Sequence, residues 1–305
     1  MTKSDALDQT ALASASKYMT AVAWPTVILG LVAAVLYVAT VAMALVGVLS
    51  LWVAVPIVAI VTYASYTVAH DSIHGSISGN RRSLRWLNKA LGYIAAWILI
   101  IPLTAHRHEH MAHHRHTNDP EQDPDFPVGR MKDSVPAAAS AAVQIIVGQF
   151  SHYFRYRWRQ APMEQNLALC HEVAAAILPR LAILISGFWV EGVLLFMLAW
   201  LIGVVVLLYL FAYVVHRPHA HVGRYRDTST ILLPGALGNL FTWFWLFQNY
   251  HSIHHLFPRV PFYRYAKLYN EIEKIMVAKG APVYRITLRG LEPVSYTHLR
   301  AHETQ

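Results

Sequence analysis

Long apolar stretches that come in pairs are the feature that most constrains how this sequence can fold. Segments 21–49 and 51–69 contain no charged residue, and each is long enough to cross a bilayer, which takes roughly 20 residues. The turn between them is short and uncharged, so they form a predicted hairpin. A second apolar block, 173–215, is interrupted near Glu191 and predicts a second hairpin. Because helices satisfy their own backbone hydrogen bonds in lipid, we expect an all-α membrane protein with four transmembrane helices in two hairpins.

The remaining apolar segments predict helices that lie on or near the membrane. Segments 91–104 and 232–247 are too short to span comfortably, so they predict interfacial or re-entrant helices that lead into histidine-rich sequence. Apolar residues at helical spacing over 265–276 predict an amphipathic helix. Within the second hairpin, we expect Pro179 to kink its helix and Arg180 to snorkel or to face the protein interior.

Composition supports the membrane assignment. Of 305 residues, 55% are hydrophobic and 14% charged, and the mean hydropathy is +0.35, which is too apolar for an ordinary soluble domain. We expect one domain over residues 1–293. Cys170 is the single cysteine, which excludes an intrachain disulfide. The first twenty residues lack the pattern of a removable signal peptide.

The basic residues predict how the chain is oriented. Of 25 Lys and Arg residues, all but Arg180 lie before the first span, between the hairpins or after the fourth span. Cytoplasmic loops carry an excess of Lys and Arg. We therefore expect these regions to form a cytoplasmic helical cap on an inner (cytoplasmic) membrane protein. The net charge of +8 is accompanied by no nucleic-acid motif, so no nucleic-acid partner is expected.

Three histidine clusters carry the chemistry. Each repeats imidazoles three or four residues apart, which places them on one face of a helix. Neutral imidazole binds iron, copper, nickel and zinc, whereas a tetrahedral zinc site takes only three or four protein ligands. Eight converging imidazoles therefore predict two metal ions side by side. The clusters are His70 and His74; His110, His113 and His114; and His251, His254 and His255.

Four motifs in order give the chain a family likeness. Segments 70–75, 110–125, 216–219 and 248–258 read HDSIHG, HMAHHRHTNDPEQDPD, HRPH and QNYHSIHHLFP. With them the chain resembles, over most of its length, the membrane fatty-acid-desaturase superfamily. Its closest likeness is to the desaturase-like beta-carotene hydroxylases.

The resemblance implies a non-haem di-iron centre that uses O2 to abstract hydrogen from an unactivated C–H bond. It also implies that His216 is a ninth ligand, with a histidine merely anchored at the membrane interface as the alternative. In acyl-CoA desaturases an asparagine stands four residues before this histidine. Here that position is Ala212, which argues against a close acyl-CoA desaturase. No catalytic side chain is expected beyond the nine metal ligands: His70, His74, His110, His113, His114, His216, His251, His254 and His255.

Carboxylates near the clusters are candidates for orienting these ligands, because a ligating histidine usually donates its second N–H to a carboxylate or a carbonyl. Each candidate has an ordinary alternative as a solvated loop acid or a helix cap. His106, His108 and His219 lie outside the repeating spacings, so we expect them to support the ligands or to be solvated. The candidate acids are Asp71, Glu109, Asp119, Asp123, Asp125 and Asp227.

Other functional classes fit less well. A metal transporter needs ionisable or polar ligands inside its spans, and the predicted spans hold only Arg180 and Glu191. A zinc hydrolase does not explain nine histidines, and a purely structural protein needs none of them. The sequence therefore favours an O2-dependent membrane oxidoreductase.

The ligands do not distinguish hydroxylation, ketolation and desaturation, which can share the first hydrogen abstraction. Motif likeness favours carotene-ring hydroxylation. The main alternative is a desaturase of lipid-linked or carrier-linked fatty acyl chains, with a carotene ketolase behind it. No electron-transfer domain is recognisable, so we expect an external donor such as ferredoxin, or cytochrome b5 with its reductase. A basic cytoplasmic face suits an acidic donor.

The last residues, 294–305, resemble an adapter read-through peptide that contaminates some assembled gene sets. We therefore expect this tail to be non-native and the native C-terminus to be missing. His298 and His302 are excluded from the site on this ground.

Overall fold

The computed structural model describes residues 2–294. His298, His302 and the rest of the tail beyond Val294 lie outside the described residues. As expected, the described chain is mostly helical. Its helices are α1 (Lys3–Ser16), α2 (Trp24–Leu45), α3 (Leu51–Ile73), α4 (Trp86–Leu99), α5 (Leu103–His116), α6 (Val135–Tyr156), α7 (Met163–Ile185), α8 (Trp189–Tyr213), α9 (Gly235–Phe244), α10 (His251–Leu256) and α11 (Tyr265–Ala278). Short 3₁₀ turns occupy Arg82–Leu84, Phe126–Lys132, Gln248–Tyr250 and Phe262–Arg264.

Four of these helices, α2, α3, α7 and α8, are long and apolar enough to cross a membrane, which confirms the number of spans predicted from hydropathy. Helix α7 begins at Met163, earlier than the predicted block, because its polar first turns at 164–172 conceal it in a hydropathy profile. It continues through Pro179 to Ile185 as one helix. Arg180 is buried, so the expectation that it faces the protein interior is confirmed.

A sharp bend between α4 and α5 places the second histidine cluster across the end of the bundle. The two helices meet at 95°. Ile100 takes a left-handed φ of 57° where α4 ends, and Pro102, which has no backbone N–H, immediately precedes α5. The predicted re-entrant segment 91–104 is therefore the end of α4, the bend and the first residues of α5.

Helix α8 passes very close to α3. A Cβ added at Gly203 would lie 2.7 Å from the Ala59 carbonyl oxygen and 2.9 Å from Thr62 Cβ, so the approach depends on glycine at this position. This contact fixes α8 against the helix that carries His70. Helix α8 contains two π-helical segments, and the second, Leu208–Tyr213, ends three residues before His216.

Helix α6 and a small sheet were not predicted. The sequence of α6 mixes alanine with polar residues and lacks a long apolar run, and its start is capped by the Ser134 side chain, which accepts the Ala137 N–H. Strand β1 (Thr230–Leu232) pairs in parallel with β2 (Val283–Thr287), which pairs antiparallel with β3 (Gly290–Pro293). Such distant pairing leaves no local pattern in the sequence.

The predicted amphipathic helix is α11. Its apolar face packs on α10 and on α1, where Ala11 and Ala15 are fully buried. The third histidine cluster is therefore held between α11 and the end of the membrane bundle. The buried residues on this face are Tyr265, Leu268, Tyr269, Ile272 and Met276.

Candidate metal centre

Four elements bring all nine predicted ligands into one region at the end of the bundle. Helix α3 carries His70 in its last turn and places His74 just beyond its end, and His216 follows α8. Helices α5 and α10 each supply three histidines. Six of the nine rings are buried, and the other three are partly buried.

Five imidazoles form the first group. In this group, one ring nitrogen from each residue lies within 4.8 Å of those from the others. The shortest separations are between Nε2 atoms: 2.9 Å from His74 to His110, 3.0 Å from His110 to His114 and 2.9 Å from His114 to His254. The members are His70, His74, His110, His114 and His254.

Three imidazoles, His113, His216 and His255, form the second group within the same 4.8 Å limit. The Nε2 atoms of His113 and His216 are 3.0 Å apart. His251 belongs to neither group by this distance, but its ring centroid is 4.8 Å from those of His216 and His255. The His114 and His255 rings stack with centroids 4.3 Å apart, so the two groups adjoin.

Two His-His pairs occur in the clusters, His113–His114 and His254–His255, and the two members of each pair belong to different groups. His114 and His254 belong to the first group, and His113 and His255 to the second. Successive residues of a helix point about 100° apart, so a His-His pair directs its two rings to two sides. The arrangement is that of two adjacent sites that share their supporting helices.

In His113 and His216, the second ring nitrogen is held by a hydrogen bond that fixes the ring orientation. His113 Nδ1 donates to Asp123 Oδ1 over 2.8 Å, and His216 Nδ1 donates to the Ala212 carbonyl oxygen over 2.6 Å. Burial lowers the pKa of His113, but the carboxylates of Asp123 and Asp125 outweigh it and raise this pKa to about 9, so without a cation the His113 Nε2–H donates to His216 Nε2. A metal ion would displace this proton, and a neutral imidazole has only one N–H, so both Nε2 atoms would then present lone pairs to the ion. Because the ring nitrogens of His113, His216 and His255 converge within 4.8 Å, this donor set fits a metal ion.

Two further hydrogen-bond partners of the histidines were not predicted from the sequence. His251 Nδ1 lies 3.1 Å from Gln248 Oε1, and His254 Nδ1 lies 3.0 Å from the Tyr265 hydroxyl. Gln248 could have been found, because it stands three residues before His251 on a helical path. Tyr265 lies on another helix and carries no such signal.

Three of the six candidate acids lie near ring nitrogens of the second group. Asp123 contacts His113 directly, Asp125 Oδ2 is 3.7 Å from His113 Nδ1, and Asp227 Oδ2 is 4.0 Å from His255 Nδ1.

The other three acids have different surroundings. Glu109 is buried beside His106, whose Nδ1 is 3.3 Å away. Asp71 accepts a hydrogen bond from Thr26, and Asp119 accepts from backbone amides of its own turn. Within residues 2–294, neither Asp71 nor Asp119 hydrogen-bonds an imidazole of the two groups.

Burial sets the protonation of the third cluster. It lowers the pKa of His254 and His255 well below the usual imidazole range, and the neighbouring imidazoles lower it further. Both rings are therefore neutral, which is the form that binds metal. Burial raises the pKa of Asp227 to about 6, and a nearby cation would favour its ionised form.

An apolar cavity ends on the imidazoles. Its walls come mainly from α6, α8 and the bend between α4 and α5. His110 of the first group and His113 and His216 of the second line it, together with His251. His106 and Gln149, whose side chains are 2.5 Å apart, also line this cavity. An apolar molecule in this cavity would lie against both groups.

Fold and site together define an integral membrane protein with a histidine-rich centre that can hold two metal ions. The family model for fatty acid desaturases matches residues 46–287, and the chain belongs to this family of di-iron oxidoreductases. It is similar to an sn-1 oleoyl-lipid 12-desaturase from Picosynechococcus sp., with 26% identity over 233 residues. The match covers 68% of this chain and 65% of that relative, so the chain spans about two thirds of the relative's length.

Proposed function

We propose that the protein oxidises an unactivated C–H bond of a membrane lipid at two iron ions. The observation that carries this proposal is the apolar cavity, because imidazoles of both groups form its inner wall. A lipid chain or ring bound there would be shielded from water and held against the centre. Two bound irons would supply the activation of O2 that the reaction needs.

The proposed ligands follow the two groups. His70, His74, His110, His114 and His254 hold one ion, and His113, His216 and His255 hold the other. His251 completes the second set, because its ring lies closest to His216 and His255. Asp123 and the Ala212 carbonyl orient ligands of the second set. The nearby carboxylates of Asp123, Asp125 and Asp227 help to balance the charge of the ions.

The reaction needs electrons from outside the described chain. Hydroxylation consumes one C–H bond, O2, two electrons and two protons, and yields one alcohol and one water. Desaturation consumes two C–H bonds with the same co-reactants and yields one alkene and two waters. We propose that a small acidic donor, a ferredoxin or a cytochrome b5 with its reductase, supplies the electrons at a basic cytoplasmic face.

Hydroxylation of a carotene end ring is the first candidate reaction. Its support is the likeness of segments 216–219 and 248–258 to beta-carotene hydroxylases, together with a cavity whose walls away from the imidazoles are mostly apolar. Cells that make β-carotene and a matching ferredoxin system should accumulate monohydroxylated and dihydroxylated pigments when they express the protein. Chromatography with mass spectrometry measures them, and cells expressing His114→Ala provide the inactive control. Unchanged pigments would refute this candidate.

Fatty acyl desaturation is the second candidate, and the similarity to the oleoyl-lipid desaturase favours it. The same cells provide the test, since their fatty acids can be converted to methyl esters and analysed by gas chromatography. New double bonds that are absent from the His114→Ala cells, with unchanged pigments, would establish the desaturase.

A further inference from the structure

Thr117, the residue that follows α5, connects two histidines of the second group. Its buried hydroxyl donates to the His113 carbonyl oxygen over 2.7 Å, and its oxygen lies 3.4 Å from His255 Nδ1. A hydroxyl has one hydrogen and two lone pairs. Because its hydrogen is used at the His113 carbonyl, Thr117 accepts a hydrogen bond from His255. Neutral His255 therefore carries its hydrogen on Nδ1. Its Nε2, which is buried and has no hydrogen-bond partner within residues 2–294, presents a lone pair.

The contact between Thr117 and its own helix is ordinary, whereas its contact with the imidazole ring is not. Thr10 of α1 also donates to the carbonyl oxygen four residues earlier, that of Ala6, over 2.9 Å. This is a common way for a hydroxyl on a helix to be satisfied. At Thr117 the same oxygen also accepts from His255, so a residue at a helix end here orients a histidine on another helix.

Asn118, the next residue, holds the acids of the second group in place. Its backbone N–H donates to Asp123 Oδ2 over 2.7 Å, while Asp123 Oδ1 accepts the Nδ1–H of His113. Its side-chain amide donates to the His221 carbonyl oxygen over 2.8 Å and to the Asp227 carbonyl oxygen over 2.7 Å. Its φ of 66° is left-handed, a conformation that asparagine adopts more readily than most residues. Asn118 thus joins the end of α5 to the segment that carries Asp227.

The contacts of Thr117 and Asn118 meet at His255 Nδ1. Asp227 Oδ2 lies 4.0 Å from this nitrogen, and the Thr117 oxygen lies 3.4 Å from it. Both oxygens favour a hydrogen on Nδ1 over a hydrogen on Nε2. Two consecutive residues therefore fix the orientation of His255 relative to α5.

We propose that Thr117 and Asn118 are positioning residues of the second group. Thr117 holds the hydrogen of His255 on Nδ1 and so presents the Nε2 lone pair to the ion. Asn118 holds two carboxylates, those of Asp123 and Asp227, beside the rings of this group. Neither residue lines the apolar cavity, so both act through the ligands and not on the substrate. That iron binds there rests on the proposed function, whereas the position of the hydrogen is a property of the iron-free protein.

The position of this hydrogen can be measured in iron-free protein in detergent. Heteronuclear NMR spectra of protein with isotope-labelled histidine distinguish the two neutral forms of an imidazole, and the signals that disappear in His255→Ala identify His255. The wild type should show the Nδ1–H form. Thr117→Val replaces the hydroxyl by a methyl group and should shift His255 toward the Nε2–H form, whereas Thr117→Ser keeps the hydroxyl and should not.

Two results of this measurement would overturn the proposal. One is an Nε2–H form of His255 in the wild type, and this result decides the question even if Thr117→Val does not fold. The other is an unchanged His255 signal in folded Thr117→Val.

Iron affinity, measured by competition with a chelator, gives an independent test. Thr117→Val and Asn118→Gly should each weaken iron binding by about 10- to 100-fold, the usual effect of removing a group that orients a ligand. Asn118→Gly removes the amide but tolerates the left-handed φ, and Thr117→Ser should restore the affinity that Thr117→Val loses.

The matched controls for iron affinity are Thr10→Val and Gln122→Ala, which should bind iron as the wild type does. Thr10 makes the helix contact without a ring. Gln122 lies in the same loop as Asn118, and within residues 2–294 its side-chain amide bonds only Asp119. Equal losses in a variant and its control, or in Thr117→Val and Thr117→Ser, would contradict the proposal.

The two measurements keep this inference distinguishable from the proposed function. A wild-type protein that binds no iron and oxidises no lipid, yet shows the Thr117-dependent Nδ1–H form, would refute the proposed function and support the positioning of His255 by Thr117. A protein that binds two irons and oxidises its lipid, with the same His255 signal and iron affinity in Thr117→Val as in the wild type, would refute this inference alone.

Discussion

At the scale of single residues, the centre depends on where each imidazole proton lies. His113 and His216 both direct Nδ1–H at oxygen acceptors, so the two Nε2 atoms face each other and would be free to bind an ion that displaces the second proton of His113. His254 is similarly fixed through Tyr265. The groups around the ligands therefore decide whether the lone pairs converge, and two predictions follow from this dependence.

The first prediction concerns the ligands themselves. The purified protein should contain close to two irons per chain, and His114→Ala should lower this number well below two and abolish turnover, since it removes a nitrogen from the first group. Elemental analysis by mass spectrometry measures the iron. His152→Ala, a histidine of α6 outside both groups, and deletion of residues 294–305 should each leave it unchanged. Full iron retention in His114→Ala would contradict the assignment.

The second prediction concerns an acid that orients a ligand. Asp123→Asn weakens the acceptor of the His113 N–H, and activity or iron affinity should fall by about 10- to 100-fold, the usual effect of removing such a partner. Asp119→Asn is the matched control in the same loop, because Asp119 accepts hydrogen bonds only from its own turn. Iron competition with a chelator measures the affinity. Equal losses in both variants would show that the loop, not the His113 contact, matters.

At the scale of helices and strands, the sequence predicted what depends on local pattern. The four spans were found because each is a long apolar run, and the clusters because a helix repeats every three to four residues. Helix α6 and the start of α7 were missed because their polar residues conceal them in a hydropathy profile. The partition of the imidazoles into two groups was not predicted, because it depends on how α3, α5, α8 and α10 meet.

The third prediction tests the close contact between α8 and α3. Gly203→Ala would force a Cβ to within 2.7 Å of the Ala59 carbonyl oxygen, so α8 must move away from α3. We expect a loss of about 1–3 kcal/mol in the free energy of unfolding, seen as a lower midpoint of thermal unfolding in detergent. Gly148→Ala is the control on α6, where nothing lies within 4 Å of the added atom. It should be neutral or slightly stabilising, and a similar loss in both would exclude the close contact as the cause.

At the scale of the whole molecule, the fold separates a membrane bundle from the end that gathers the histidines. Helices α2, α3, α7 and α8 form the bundle, and α5, α10 and α11 cover one end of it. In the proposed reaction, a lipid substrate approaches through the bundle and electrons arrive at the covered end. This division requires that the covered end face the compartment of the electron donor.

The fourth prediction concerns that orientation. Reporter fusions at Ser50 and Glu191, beside the turns between paired spans, should report the outer face, and fusions at Asp133 and Lys274 the cytoplasm. Alkaline phosphatase and a fluorescent protein serve as paired reporters, since each is active on one side only. A cytoplasmic signal from Ser50 would contradict the four-span topology.

Because each His-His pair is divided between the two groups, we expect the loading of the two ions to be cooperative. An ion bound by the first group would hold α5 through His110 and His114 and α10 through His254, and the same helices carry His113 and His255 of the second. The second ion then meets ligands already in position, and the free energy of coupling is shared by both sites. Titration of the iron-free protein with ferrous ion should therefore be sigmoidal, and native mass spectrometry should find little protein with a single ion at half saturation.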